Sequence, residues 1–184
     1  MITSKNMLRE YLKYEKSLYF GDEKTALVKG FLLNSKNYRI WNFIKTLRHA
    51  EYHKNKKGGF LSQLLFAYYH RRKYSLGYVL GFEIPENCFE KGLRIYHYSS
   101  IVINEDARIG EDCTISGNLC IGNKGPGTKS PVIGSHVTLG YGAIIIGDIK
   151  IADKVTIGAG SVVTKSIPDV GAAVAGVPAS IRKR

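Results

Sequence analysis

The stretch from residue 133 to residue 163 reads IGSHVTLGYGAIIIGDIKIADKVTIGAGSVV. Every sixth position in it is a branched apolar residue: Ile133, Leu139, Ile145, Ile151, Ile157 and Val163. The same phase extends back through Ile121, Ile115, Ile109 and Ile103, so ten of eleven positions conform and Gly127 alone breaks the series. Chance does not hold one phase over that length. A second series, four places after each anchor, is mostly small or apolar: Ala107, Cys113, Leu119, Val137, Ala143, Val155 and Ser161. A period of six fits neither the helical repeat nor simple strand alternation. It is the signature of a parallel β-helix, in which each hexapeptide makes one short strand and one turn of a three-sided coil. The anchor points into the narrow interior, the small residue fits where the walls converge, and stacked coils bury a continuous aliphatic column.

Residues 122–132, Gly-Asn-Lys-Gly-Pro-Gly-Thr-Lys-Ser-Pro-Val, interrupt the pattern and return it in phase at Ile133. Their Gly, Pro and Ser content predicts a loop extruded from one edge of the prism, where rigid solenoids carry function. Upstream, residues 5–20, roughly 36–55 and 60–80 have the mixed apolar and charged periodicity of helices, with Gly58-Gly59 between the last two. The expected organisation is a basic, Tyr-rich helical segment over 1–81, a β-helix over 82–168 and a C-terminal tail over 169–184 that leaves the repeat. Two apparent motifs carry nothing. Gly127-Thr128-Lys129-Ser130 misses the phosphate-binding loop pattern by one residue, with no helix after it. His49 and His53 lack a glutamate beside the first histidine and read as a solvated helix face.

Apolar residues make up 44% of the 184 positions and charged residues 23%, the balance of a soluble globular protein. No stretch approaches the apolar length of a membrane span, and the first 20 residues hold no signal-peptide core, so the expected location is cytoplasmic. Cys88, Cys113 and Cys120 have no CxxC spacing and read as buried thiols. The net charge of +12 is uneven: residues 1–81 hold 16 basic and 5 acidic side chains, residues 82–184 hold 11 and 10. Nine of the 12 tyrosines fall in the basic segment, a composition that raises nucleic-acid binding for consideration. No recognised nucleic-acid module accompanies it, and an anionic membrane surface, at the inner face of the membrane, or an acidic glycan is the better partner for that charge, which in most proteins is simply a solvated face.

Ile157-Gly158-Ala159-Gly160-Ser161-Val162-Val163-Thr164-Lys165, followed by Ala175-Gly176-Val177-Pro178-Ala179, resembles the end of hexapeptide acyltransferases. Gly92-Leu93-Arg94-Ile95-Tyr96-His97, leading into Ile101-Val102-Ile103, is similar to the catalytic coil of their serine acetyltransferase branch. The resemblance covers roughly residues 80–180. It implies a left-handed parallel β-helix, against the right-handed preference of parallel crossovers. It also implies acetyl-coenzyme A as co-substrate, no metal, and a homotrimer with active sites between subunits. His97 stands where the matching motif carries its base, and an imidazole titrating near neutrality can take a proton from an acceptor hydroxyl. Glu83 lies closest to the family's acidic partner position, one residue nearer the histidine than usual, with Glu86 as the substitute. Tyr141, Gly142, Ala143, Ala159 and Gly160 line the implied coenzyme A edge, with Thr164 and Lys165 nearby, although tight corners require small residues in any case. Ser180 replaces the family's arginine, so Arg182 or Lys183 supplies the phosphate-binding cation.

Serine acetyltransferases present an acidic residue just before the catalytic histidine and an Arg-His pair in the loop. Here those positions hold Tyr96 and Lys129-Ser130. The departures remove charged partners for an amino acid, and Tyr96, Tyr98 and Ser99 suit a sugar ring. The expectation is therefore an O-acetyltransferase acting on a carbohydrate in surface-polysaccharide biosynthesis, similar to the polysaccharide-precursor O-acetyltransferases. Serine O-acetylation in cysteine biosynthesis is the alternative. A different class stays open, a non-catalytic trimeric scaffold that binds membrane or nucleic acid through its basic segment. Such a scaffold has no need of His97 beside a coenzyme A edge.

Overall fold

The computed structural model describes residues 1–21, 25–56 and 58–182. The chain forms two compact units, Met1–Leu80 and Gly81–Arg184.

The first unit holds α1 (Lys5–Phe20), α2 (Ala26–Leu32), α3 (Lys36–Asn55) and α4 (Phe60–Leu80). Ser4 starts α1 by accepting the Met7 N–H on its hydroxyl at 3.2 Å, and Ser35 starts α3 in the same way for Tyr38 at 3.3 Å. Seven-residue α2 was not anticipated, because two turns are too short to show a period. Leu8, Tyr11, Tyr19 and Phe20 of α1 are buried, as are Ile40, Phe43, Ile44, Leu47 and Ala50 of α3.

Within this apolar interior lies a charged triad. Arg48 of α3, wholly buried, donates from Nη2 to Glu15 of α1 at 2.6 Å, from Nε to both oxygens of that carboxylate at 3.1 Å, and from Nη1 to Glu51 at 2.8 Å. Burial works against the charge on Arg48, but Glu15 and Glu51 more than offset it, and the net pKa is raised. His49 and His53 are not the solvated face expected from their spacing. Tyr69 of α4 stacks on both, with ring centroids 4.7 and 5.6 Å apart.

The second unit is a three-sided coil. Its strands are β1 (Phe82–Glu83), β2 (Arg94–Ile95), β3 (Ile101–Ile103), β4 (Arg108–Ile109), β5 (Thr114–Ile115), β6 (Leu119–Gly122) and β7 (Val132–Ile133). They continue as β8 (Thr138–Leu139), β9 (Ile144–Ile146), β10 (Lys150–Ile151), β11 (Thr156–Ile157), β12 (Val162–Val163), β13 (Ala173–Ala175) and β14 (Ser180–Ile181). One face orders five strands as β1-β3-β6-β9-β12, a second three as β4-β7-β10, and the third six as β2-β5-β8-β11-β13-β14. The anchors stack in register: Ile103, Ile121, Ile145 and Val163 on the five-strand face, for example, each at most 3% exposed. Each such burial is worth about 1.5–3 kcal/mol.

Regular partners such as Ile133 and Ile151 are eighteen residues apart, whereas Ile109 and Ile133 are twenty-four apart across the loop. The extrusion therefore adds six residues to one coil, which is why the phase survives it. Residues 169–182, expected to be a tail, instead add strands: β13 pairs in parallel with β11, and β14 folds back antiparallel onto β13. Val174 pairs with Ile157 at a separation of seventeen, one residue out of phase, and this hid the extra coil. Cys88 and Cys113 are buried as expected, but Cys120 points outward, in register between Val102 and Ile144, and is only half-buried. Among the described residues no helix is long and apolar enough to cross a membrane, and no group of His, Cys, Asp and Glu is placed to hold a metal ion.

Replacing Arg48 by Met leaves Glu15 and Glu51 buried without their cation. Urea titration is expected to show a loss of about 3–5 kcal/mol, largely recovered when Glu15→Gln and Glu51→Gln are added. An Arg48→Met protein as stable as wild type would show the triad to be dispensable.

Candidate active site

Three edges join the faces. Edge one, between the six-strand and five-strand faces, carries the turns after β2, β5, β8, β11 and β13; edge two, between the five-strand and three-strand faces, carries those after β3, β6, β9 and β12. His97 follows β2 and is exposed on edge one. Gly117 and Tyr141 occupy the next two coils on the same line. A Cβ at Gly117 would stand 3.2 Å from His97 Cβ and 3.1 Å from two ring carbons of Tyr141, and φ there is +138°, so a residue without a side chain lets the two approach.

The line continues to Gly160, whose N–H donates to the Tyr141 carbonyl at 2.8 Å, and to Gly176, whose carbonyl accepts from Val162 at 3.0 Å. The guanidinium of Arg182 lies over Gly176, with Nη2 3.2 Å from where a Cβ would be. Four inter-strand steps of about 4.8 Å make the edge about 19 Å long. It has an imidazole at one end, a guanidinium at the other, and the exposed Tyr141, Ala159 and Gly160 between them. That arrangement suits an extended amide-bearing chain that ends in phosphate.

Not all of the expected cofactor residues meet there. Ala143 is fully buried, with its N–H donated to Gly140 and its carbonyl accepting from Cys120, so it builds the edge rather than facing it. Gly142 likewise gives its N–H to the Asn118 carbonyl at 2.7 Å. Thr164 and Lys165 are exposed but follow β12, on edge two. Lys183 lies outside the described residues.

Glu83 and Glu86 now separate. Glu83 heads the outward column of the five-strand face, in register above Val102, Cys120, Ile144 and Val162, and that face borders edge one. Glu86 is buried between β1 and the Phe89–Ile109 bridge of the three-strand face, on the side away from His97. Tyr96 and Tyr98 are exposed beside His97, whereas the Ser99 hydroxyl accepts the Asn118 N–H at 2.5 Å and ties two coils together. Ser130 turns inward, donating its hydroxyl to Asn104 Oδ1 at 2.7 Å, and Lys129 pairs loosely with Asp148 at 3.9 Å; both are on edge two.

Sequence reasoning missed Arg94. Its guanidinium carbon lies 4.7 Å from the centroid of the Tyr96 ring, which places a cation beside the His97 end of the edge. Strand alternation holds the signal, since residues two apart share a face.

A model of the bacterial transferase hexapeptide (six repeats) matches residues 130–165. The repeat is that of the bacterial hexapeptide transferases. A serine acetyltransferase of Buchnera aphidicola is 38% identical over 103 residues, covering 54% of this chain and 39% of its own length. Another, from Helicobacter pylori, is 36% identical over 109 residues, covering 58% and 64%. The chain thus spans less than two thirds of the length of these relatives. The structure of a soybean serine acetyltransferase complexed with serine aligns with 97% of this chain and 70% of its own, at a TM-score of 0.75 and 25% identity.

These relatives overturn the carbohydrate reading, and they lend no support to a resemblance to polysaccharide O-acetyltransferases. The expectation failed because it counted charge only at Tyr96, Lys129 and Ser130. Arg94, two residues upstream and packed against the Tyr96 ring, was left out of that count.

Gly117 and Gly160 allow the crowding on edge one to be measured. Gly160→Ala meets no neighbour within 4 Å but must hold φ +66°, a cost of about 1–2 kcal/mol. Gly117→Ala adds the clash with His97 and Tyr141 and is expected to be the more destabilising in urea titration. Equal losses would mean that the close approach on this line is not constraining.

Proposed function

We propose that this hexapeptide transferase moves the acetyl group of acetyl-coenzyme A to the hydroxyl of L-serine, on a left-handed coil and in the cytoplasm. The supporting observation is an exposed His97 at the head of edge one, in a chain whose relatives over the same half are named serine acetyltransferase. In this reading the imidazole takes the proton from the serine hydroxyl as that oxygen attacks the thioester carbonyl carbon. The tetrahedral intermediate then collapses with cleavage of the carbon–sulfur bond. The imidazolium returns the proton to the departing thiolate, giving O-acetylserine and coenzyme A. Glu83 stabilises the imidazolium from the neighbouring face, Arg94 meets the serine carboxylate, and Arg182 meets the coenzyme A phosphates.

The proposed assembly is a homotrimer. Candidate residues fall on edges one and two, and both edges border the five-strand face. Val102 and Ile144 are exposed on that face as part of a flat apolar column. Packing copies around a threefold axis through these faces covers the column and brings edge two of one copy, with Thr164, Lys165 and the loop, against edge one of the next.

Release of coenzyme A thiol in the presence of L-serine tests the reaction. His97→Ala is expected to lower the specificity constant by about a hundredfold or more while the protein stays folded. Arg94→Gln is expected to raise the KM for serine with that for acetyl-coenzyme A little changed. Absence of turnover with L-serine, or wild-type turnover by His97→Ala, overturns the reading. Light scattering is expected to give the mass of three chains, and a fully active monomer would refute the assembly.

A further inference from the structure

Between α3 and α4 lies a cleft of about 200 Å³ that the proposed transfer reaction does not use. Asn42, Lys45 and His49 line it from one face of α3, at helical spacings of three and four, and Tyr68, Tyr69 and Arg72 line it from α4. No carboxylate is among the described residues that line it. Arg72 Nη1 donates to the Tyr68 hydroxyl at 3.1 Å, an arrangement that orients the guanidinium fork at the mouth. At the back, the half-buried ring of His49 is held against Tyr69 with an interplanar angle of 16°. Thr46, also on the lining, commits its hydroxyl to the Asn42 carbonyl at 2.7 Å, which leaves the charged groups to define the chemistry.

The field in the cleft is positive. The pKa of His49 is lowered, first by burial and then by the charges of Lys45 and His53. Two of the five carboxylates of residues 1–80, Glu15 and Glu51, are held in the interior by Arg48 and do not line the cleft. Two cations of different geometry, a planar fork and a point charge, converge here with an amide and a phenol. This is a donor-rich setting for a compact tetrahedral dianion.

We propose that the cleft between α3 and α4 is a binding site for a small phosphate monoester, held by Arg72 and Lys45 with His49 behind them. The site is distinct from edge one and does not depend on the identity of the acetyl acceptor. The ligand's negative charge stabilises the imidazolium, so binding raises the His49 pKa. Among the described residues, the charged and titratable groups facing His49 are Lys45 and His53 on α3 and Tyr68, Tyr69 and Arg72 on α4.

The full-length protein tests this. Inorganic phosphate and glycerol 3-phosphate are titrated by calorimetry, and the His49 imidazole is followed by NMR with sulfate as a dianion whose charge does not change with pH. Saturable binding is expected with a Kd at or below about 1 mM, together with an upward shift of the His49 titration. Lys45→Gln and Arg72→Gln are exposed substitutions that leave the helical core intact, and each is expected to weaken binding about tenfold. Lys13→Gln, at an exposed position on α1, is the control for general attraction. Binding of glycerol 3-phosphate at least as tight as that of phosphate supports a monoester. Unsaturable binding, an unmoved His49, or equal weakening by Lys13→Gln overturns the site.

Discussion

The spacing between successive coils, about 4.8 Å, governs everything built on residues 81–182. At that spacing the aliphatic anchors touch along the interior and exclude water, but the corners close so tightly that a side chain has no room. A Cβ at Gly140 would come within 2.5 Å of the Ala159 nitrogen, and one at Gly134 within 2.8 Å of the Asp153 nitrogen. The small residues of the repeat are therefore a steric consequence of stacking before they are anything else. The same spacing sets each turn directly beside the one before it, so an edge becomes a line of residues at fixed intervals. His97, Gly117, Tyr141, Gly160 and Gly176 are neighbours for that reason, though nearly eighty positions separate the first from the last in sequence.

How much of this was legible depended on whether the period held. Between Ile103 and Val163 it does, apart from Gly127 in the loop, and every apolar anchor there is interior. Outside those limits it drifts: Ile95 pairs with Ile115 at a separation of twenty, and Ile157 with Val174 at seventeen, so the first and last coils carry the right residues in the wrong phase. The site shows the same boundary. His97 could be singled out from its local motif, but that Glu83 and Glu86 lie on different sides of the coil could not, because three residues carry the chain from one face toward another edge. Ala143 was misread because smallness marks both a residue that faces a ligand and one that fills a corner. Only its hydrogen bonds to Gly140 and Cys120 tell the two apart.

Charge was the least readable quantity. A count over residues 1–81 treats all side chains alike, yet Arg48, Glu15 and Glu51 are withdrawn together into the helical core as a triad of one cation and two carboxylates, and Lys73 is buried as well. What faces solvent is therefore poorer in carboxylate than the composition indicates. The error at the acceptor end had the same origin. Counting replacements position by position found a tyrosine where an acid was expected and passed over Arg94, two residues upstream and packed against that tyrosine ring.

The surroundings of the nucleophiles narrow the route open to an acyl group on this scaffold. A covalent intermediate on sulfur needs an accessible thiolate. Burial pushes the Cys113 thiol up to about 12, and the Cys120 thiol, shielded on the five-strand face, is also raised. Cys88 is closed off inside the coil, with its sulfur 3.6 Å from the Asn104 carbonyl. The hydroxyls of Ser99 and Ser161 along edge one accept backbone N–H groups from Asn118 and Gly176, which ties them to the stacking of the coils. His97 is different in kind, an exposed side chain with a base's chemistry at the head of the line. A direct transfer, with donor and acceptor held side by side against this histidine, asks of the edge only what the coil spacing already provides: a straight, rigid ledge with room for a slender chain.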